Sequence, residues 1–155
     1  MDKKDQVLLS VRELFNKKSW LDKLKMEEQL NEYKPSEVHC IEFIGKNKDT
    51  NVTKLSESLF MTKGAISKIT KKLLKKGSIE RYQKSDNKKE IYFKLTEHGK
   101  VVFNTHEKLH KELQDRDEAV FNQVTDKQYD AMLAFLANYS HHLDKEIEKL
   151  NIEHK

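Results

Sequence analysis

The chain has 155 residues, of which 36% are hydrophobic and 36% charged, with one proline and four glycines. That balance favours long amphipathic helices over a β-rich fold, and the length suits one domain, 1–155, with a real core. The formal charge is +4 and the pI about 8.9. The acids are sparse in the middle of the chain and leave it locally positive, as in a protein with one nucleic-acid face. A single cysteine, Cys40, excludes an intrachain disulfide. No apolar run approaches ~18 residues, and no apolar h-region of a signal peptide follows MDKKDQ, so a soluble cytoplasmic protein without a membrane partner is expected.

Asp5 to about Lys18 reads as a helix with Val7, Leu8, Val11, Leu14 and Phe15 on a narrow stripe. Trp20, Leu21, Leu24 and Met26 continue the pattern as a short second piece after a break. Glu27 to Lys34 reads as a polar loop. Pro35 opens the next helix, where its missing N–H costs nothing. Its stripe is Val38, Ile41 and Ile44, ending near Gly45, with His39 and Glu42 on another face. Lys46 to Asn51 is a polar loop.

Thr53 to Gly77 then reads as two short helices joined by a tight turn, Phe60-Met61-Thr62. Leu55, Leu59 and Phe60 are the apolar positions of the first. Thr62 caps the second, its hydroxyl accepting from a first-turn amide. Ile66, Ile69, Leu73 and Leu74 form the buried face of that second helix. Gly64, Ser67, Lys68, Lys71 and Lys75 point the other way, and no acid occurs between Lys63 and Ser78. Gly77 stops the helix. Small outward residues at a helix start let the backbone approach base edges closely.

Residues 79–83 and 91–95 read as two strands, with a polar, basic tip from Lys84 to Lys89. A hairpin directly after a helix-turn-helix is a winged helix, whose wing lies on or in the minor groove. Thr96 caps a long helix to about Glu118, with Gly99, Val102, Phe103, Leu109 and Leu113 on its inner stripe. Thr125 and Gln128 form a capping box for the last helix. That helix carries Tyr129, Met132, Leu136, Tyr139, Leu143, Ile147 and Leu150 at heptad spacing. The fold class is therefore mainly α with a small β-hairpin wing. The apolar surface on the first and last helices exceeds what a lone winged helix covers, so a homodimer is expected.

The order of elements, with Lys76-Gly77-Ser78-Ile79-Glu80-Arg81 and Leu95-Thr96-Glu97-His98-Gly99, resembles the MarR family of bacterial transcriptional regulators. The first stretch matches its "G-L-I-x-R" and the second its "L-T-x-x-G". Where the family carries "D-x-R" at the wing, Asn87-Lys88-Lys89 stands here, which keeps a cation but loses the bidentate fork. The resemblance covers about Val7 to Leu150. It implies dimerisation helices over 5–30 and 97–150, a winged helix over 35–95, and a dimeric repressor on a pseudo-palindromic double-stranded DNA operator. The residues that would carry DNA contacts are Thr62, Lys63, Gly64, Ser67, Lys68, Lys71, Lys75, Arg81, Lys88 and Lys89.

His106 and His110 lie four apart on the inner stripe of the long helix, where a structural helix would place leucine. Two imidazoles one turn apart can chelate one ion. With His39, and with Glu42 or an acid between Asp22 and Glu28 as a fourth ligand, they suit tetrahedral Zn2+. The pattern resembles the zinc-sensing branch of the family, although no glutamate stands at that branch's upstream ligand position. Two other effectors stay open: oxidation of Cys40, and an aromatic or lipophilic ligand lined by Trp20, Phe43, Phe103 and Tyr129. A third reading is a helical interaction module that does not bind DNA. No Gly-rich phosphate loop, nucleophile elbow, HExxH or close Ser–His–Asp pattern occurs, so no enzyme is expected.

Overall fold

The computed structural model describes residues 1–153, with side chains through Leu150. Its elements are α1 (Lys3–Gln29), α2 (Pro35–Lys46), α3 (Val52–Leu59), α4 (Lys63–Lys76), β1 (Ile79–Lys84), β2 (Asn87–Leu95), α5 (Glu97–Phe121) and α6 (Asp126–Glu153). They fall into two compact units, Met1–Leu113 and Gln114–Lys155, with α5 running from the first into the second.

α1 is one helix of 27 residues, not the two pieces the sequence suggests. Nothing at Ser19–Trp20 breaks the helix, since no proline removes a backbone hydrogen bond and no glycine loosens the chain there. Ion pairs Lys18–Asp22 (2.6 Å) and Lys23–Glu27 (3.9 Å), each one turn long, run through the expected break. Glu27, Glu28 and Gln29 are good helix formers and continue the helix instead of opening a loop. The connection to α2 is correspondingly short. It is anchored by Leu30 and Tyr33, both buried.

The core of the first unit forms around α2. Val38, Cys40, Ile41 and Ile44 pack with Leu55 of α3 and with Ile66, Ile69 and Leu73 of α4. Phe93 and Val102 close it from the wing and α5. The α3–α4 turn begins at Phe60 as expected, but Phe60 is not one of the packed apolar positions of α3. That residue is 73% exposed and adopts a left-handed conformation (φ 53°) as the C-cap of α3. It turns the chain and does not pack. Thr62 does cap α4, accepting from the Ala65 amide at 3.1 Å, and Gly77 ends it at φ 75°.

β1 and β2 pair antiparallel, with Ile79 opposite Leu95 and Tyr82 opposite Tyr92. The strands reach Lys84 and Asn87, so the tip is only Ser85-Asp86 rather than six residues. A bridge from Thr50 to Phe93, with the Phe93 amide donating to the Thr50 carbonyl at 2.8 Å, ties the α2–α3 loop to the hairpin. Thr96 caps α5 through the Gly99 amide (3.0 Å) and donates to the Gly77 carbonyl. In the second unit, Thr125 and Gln128 make the reciprocal capping box at 2.9 and 3.2 Å. The Tyr129 hydroxyl donates to the Phe121 carbonyl.

Two glycines on these elements differ sharply. A Cβ on Gly99 would sit 1.9 Å from the Ser78 carbonyl oxygen, whereas one on Gly64 would meet nothing within 4 Å. Gly99→Ala is expected to lower unfolding free energy in urea by ~2–3 kcal/mol or more, as backbone must shift. Gly64→Ala is expected to leave stability unchanged or raise it by up to ~1 kcal/mol.

Candidate nucleic-acid interface and effector site

The inner face of α4 is buried through Ile66, Ile69, Thr70 and Leu73, with Leu74 half-buried. The outer face is therefore fixed: Thr62, Lys63, Gly64, Lys68, Lys71 and Lys75 are exposed and Ser67 half-buried. Among the described residues, no ion pair or side-chain hydrogen bond engages the ammonium of Lys63, Lys68, Lys71, Lys75, Lys88 or Lys89, or the guanidinium of Arg81. Ser67, Thr70, Lys71, Arg81 and Lys89 line one groove of about 340 Å³ between α4 and the wing. The groove also includes Glu90, which accepts from the Asn51 side chain at 3.3 Å.

The other lysines nearby have structural work. Lys76, at the end of α4, pairs with Glu37 at 2.9 Å and lies 4.6 Å from the Tyr33 ring centroid. Glu37 is 2% exposed, and its other oxygen accepts from the Lys34 amide. Lys84, expected at the wing tip, instead pairs with Asp49 at 2.7 Å. Asp49 also accepts from the Tyr82 hydroxyl at 2.7 Å, and these two bonds hold its carboxyl below the ordinary carboxylate range. Asp49 thus clamps the α2–α3 loop to the base of the wing. Sequence reasoning missed both Glu37 and Asp49. An acid at the third position of α2 was visible, but its burial was not, and Asp49 lies in a loop without periodicity.

The histidines fall out differently from the sequence pattern. Glu42, His106 and His110 bring one ligand atom each within 4.8 Å of one another. Glu42 Oε2 lies 3.3 Å from His106 Nδ1 and 3.8 Å from His110 Nε2. The two rings meet edge-on with centroids 4.3 Å apart. His106 is 2% exposed, while the side chain of His110 is 52% exposed, so only the first sits truly on the inner stripe. His39 is exposed and lies outside the three-residue cluster, although its charge still acts on His106. Burial first, then the neighbouring His110, push the His106 pKa below its ordinary 6.5. His106 is neutral near pH 7, and its buried Nδ1 makes no hydrogen bond. A buried imidazole nitrogen without a hydrogen-bond partner, beside a carboxylate and a second imidazole, has the chemistry of a divalent-metal ligand once that nitrogen is free of its proton.

The other effector residues receive little support. Cys40 is fully buried, and burial followed by the Glu37 charge raises its thiol to about 12, which suppresses the reactive thiolate. Trp20 is 63% exposed on α1, while Phe43 and Phe103 pack against the core.

Residues 34–91 match the MarR family model, and that stretch spans α2 through the wing. The HTH-type transcriptional regulator PchR of Bacillus subtilis is 37% identical over 113 residues, 70% of this chain and 64% of that protein. The chain belongs to the MarR family. The chain spans 53% to 64% of the length of the curated relatives it matches. Among solved structures, Streptococcus pneumoniae FabT in complex with DNA superposes with a TM-score of 0.80 at 21% identity, over 92% of this chain and 99% of that one. ZitR of Lactococcus lactis, a zinc-responsive MarR family member, gives a TM-score of 0.59 at 17% identity, over 72% and 76%. At these identities the two structures confirm a MarR winged-helix fold.

The depressed His106 pKa has a sign that can be tested. The unfolded chain takes up a proton near pH 6.5 and the folded chain resists it. The contribution to stability is fully present above that value and is lost as pH falls through the lower folded pKa. The melting temperature of metal-free wild type should fall more steeply between about pH 7 and about pH 5 than that of His106→Gln. Parallel curves would show that His106 carries no such linkage.

Proposed function

We propose that this MarR-family protein is a DNA-binding transcriptional regulator, acting as a homodimer on double-stranded DNA, whose affinity is set by a divalent metal, Zn2+ by ligand chemistry. One observation carries the DNA reading. Lys63, Lys68, Lys71 and Lys75 of α4 and Lys88 and Lys89 of β2 are unpaired, while Lys76, Lys84 and Lys94 beside them are held in ion pairs. Unpaired ammonium groups on a helix whose back is buried are free to replace counterions along a phosphate backbone. Gly64 and Ser67 let the start of α4 approach base edges. Lys88 and Lys89 lie on β2 rather than in a loop and would meet the phosphates beside the minor groove.

The dimer reading is supported by apolar side chains that each unit exposes. Val11, Leu14 and Phe15 of α1 are more than half exposed, and α6 exposes Met132, Leu136, Tyr139 and Leu143. Rows of this kind on long helices are the material of a two-fold helical interface. The metal reading rests on Glu42, His106 and His110 as ligands. Zinc takes four, which leaves one position for water or for His39, one turn earlier on α2. Because the cluster joins α2 to α5, an ion there would bias the angle between these helices and so the placement of α4.

The test is the affinity for DNA from the gene's own upstream region, with and without zinc at fixed salt. The expected result is binding at least about tenfold tighter with zinc, within the 5- to 150-fold range of ordinary allosteric coupling. His106→Gln should abolish that shift and keep the metal-free affinity. Zinc-indifferent binding would remove the metal from the proposal, and absence of DNA binding would remove the proposal.

A further inference from the structure

The cluster contains a residue that no ligand count includes. The two oxygens of the Glu42 carboxylate are divided: Oε2 faces His106 and His110, while Oε1 accepts from the Lys46 ammonium at 3.2 Å. Lys46 lies one turn further along α2. Its ammonium is in turn 3.3 Å from Oε1 of Glu107, the residue next to His106 on α5. The carboxylate, the ammonium and the second carboxylate therefore form a chain that crosses from α2 to α5 beside the imidazoles.

We infer that Lys46 is the positioning residue of this site: braced by Glu107, it holds Glu42 so that one oxygen is presented to the two imidazoles for a divalent cation. This rests on the metal reading above. Two features distinguish the role from that of an ordinary surface pair. Lys46 engages the oxygen that the imidazoles do not use, so an ion bound through Oε2 need not displace it. Two carboxylates and one ammonium also leave the cluster with one negative charge, so Lys46 orients the ligand without cancelling the attraction for a cation. A carboxylate ligand held by an outer hydrogen bond loses less freedom when it binds, and removing such partners from metal sites lowers affinity 10- to 100-fold. The Lys46 side chain is half exposed, which places the expectation at the lower end.

The experiment is direct titration of the full-length protein with Co2+, read by its visible absorption, and with Zn2+ by competition against a chromophoric chelator. No DNA is present. Lys46→Met is expected to weaken binding about tenfold, with an altered Co2+ band as Glu42 becomes free to rotate. Lys46→Arg, which still donates to both carboxylates, should return affinity to within about threefold of wild type. Glu107→Gln should give a smaller loss of the same sign. Melting curves of the metal-free variants should coincide with wild type. Unchanged affinity in Lys46→Met would show a surface ion pair with no bearing on the site. Tighter binding would show that Lys46 competes with the metal, and either result overturns the inference. Failure of the metal reading looks different: wild type would take up no Co2+, or His106→Gln would bind it as wild type does.

Discussion

A buried carboxylate decides where α4 ends. Glu37 is almost completely excluded from solvent and is neutralised by Lys76, the last residue of that helix. A buried charge without its partner is strongly unfavourable, so this pair fixes the C-terminal end of α4 against the start of α2. Immediately beyond it, Ser78 is buried. Its side chain shares a hydrogen bond with Tyr33, and its carbonyl lies against Gly99. The end of α4, the start of the wing and the start of α5 are thus one joint. At the other end, Thr62 caps the helix. With both ends and the inner face determined, the outer lysines become a fixed surface rather than a set of mobile charges.

The distribution of lysines follows from that. A basic protein offers many cations, and those that join the elements of the winged helix are neutralised within the chain. Lys76 holds α4, Lys84 holds the wing through Asp49, and Lys46 links α2 to α5 through Glu42 and Glu107. Among the described residues, Lys63, Lys68, Lys71 and Lys75 of α4 and Lys88 and Lys89 of β2 have no such partner. Net charge understates the local asymmetry, because no acid occurs between Lys63 and Ser78 and α4 presents its outer lysines without a carboxylate on the same helix.

Much of the fold was legible because it rests on local chemistry. The Thr62 cap, the Gly77 stop, the Thr96 cap and the Thr125–Gln128 box are short-range interactions, and each is present in the structure. The stripe Val38, Ile41, Ile44 fixed the face of α2 for the same reason. The errors came where a local reading had no competitor to weigh. Trp20 to Met26 reads as a short second piece continuing the apolar pattern after a break, yet backbone bonding and one-turn ion pairs carry the helix through without one. Phe60 reads both as an apolar position of the first short helix and as part of the turn, and it is the turn that holds, with Phe60 exposed as the left-handed C-cap of α3. The candidate sites were half legible. The unpaired face of α4 follows from periodicity, whereas the grouping of Glu42 rather than His39 with the histidine pair depends on how α2 meets α5, which no spacing encodes.

The same winged helix therefore carries two different uses of charge, an unpaired cationic face and a paired cluster around a buried imidazole. The claim on which the account rests is that the unpaired face binds phosphate. The most direct measurement is the salt dependence of affinity for double-stranded DNA, comparing wild type with a variant in which Lys68, Lys71, Lys75 and Lys89 are alanine. Wild type should lose affinity steeply as salt rises, and the variant's log–log slope should be shallower by about 0.9 for each phosphate contact removed, so by about 3 to 4 in all. A wild-type affinity indifferent to salt, or an unchanged slope in the variant, would contradict the assignment of this face.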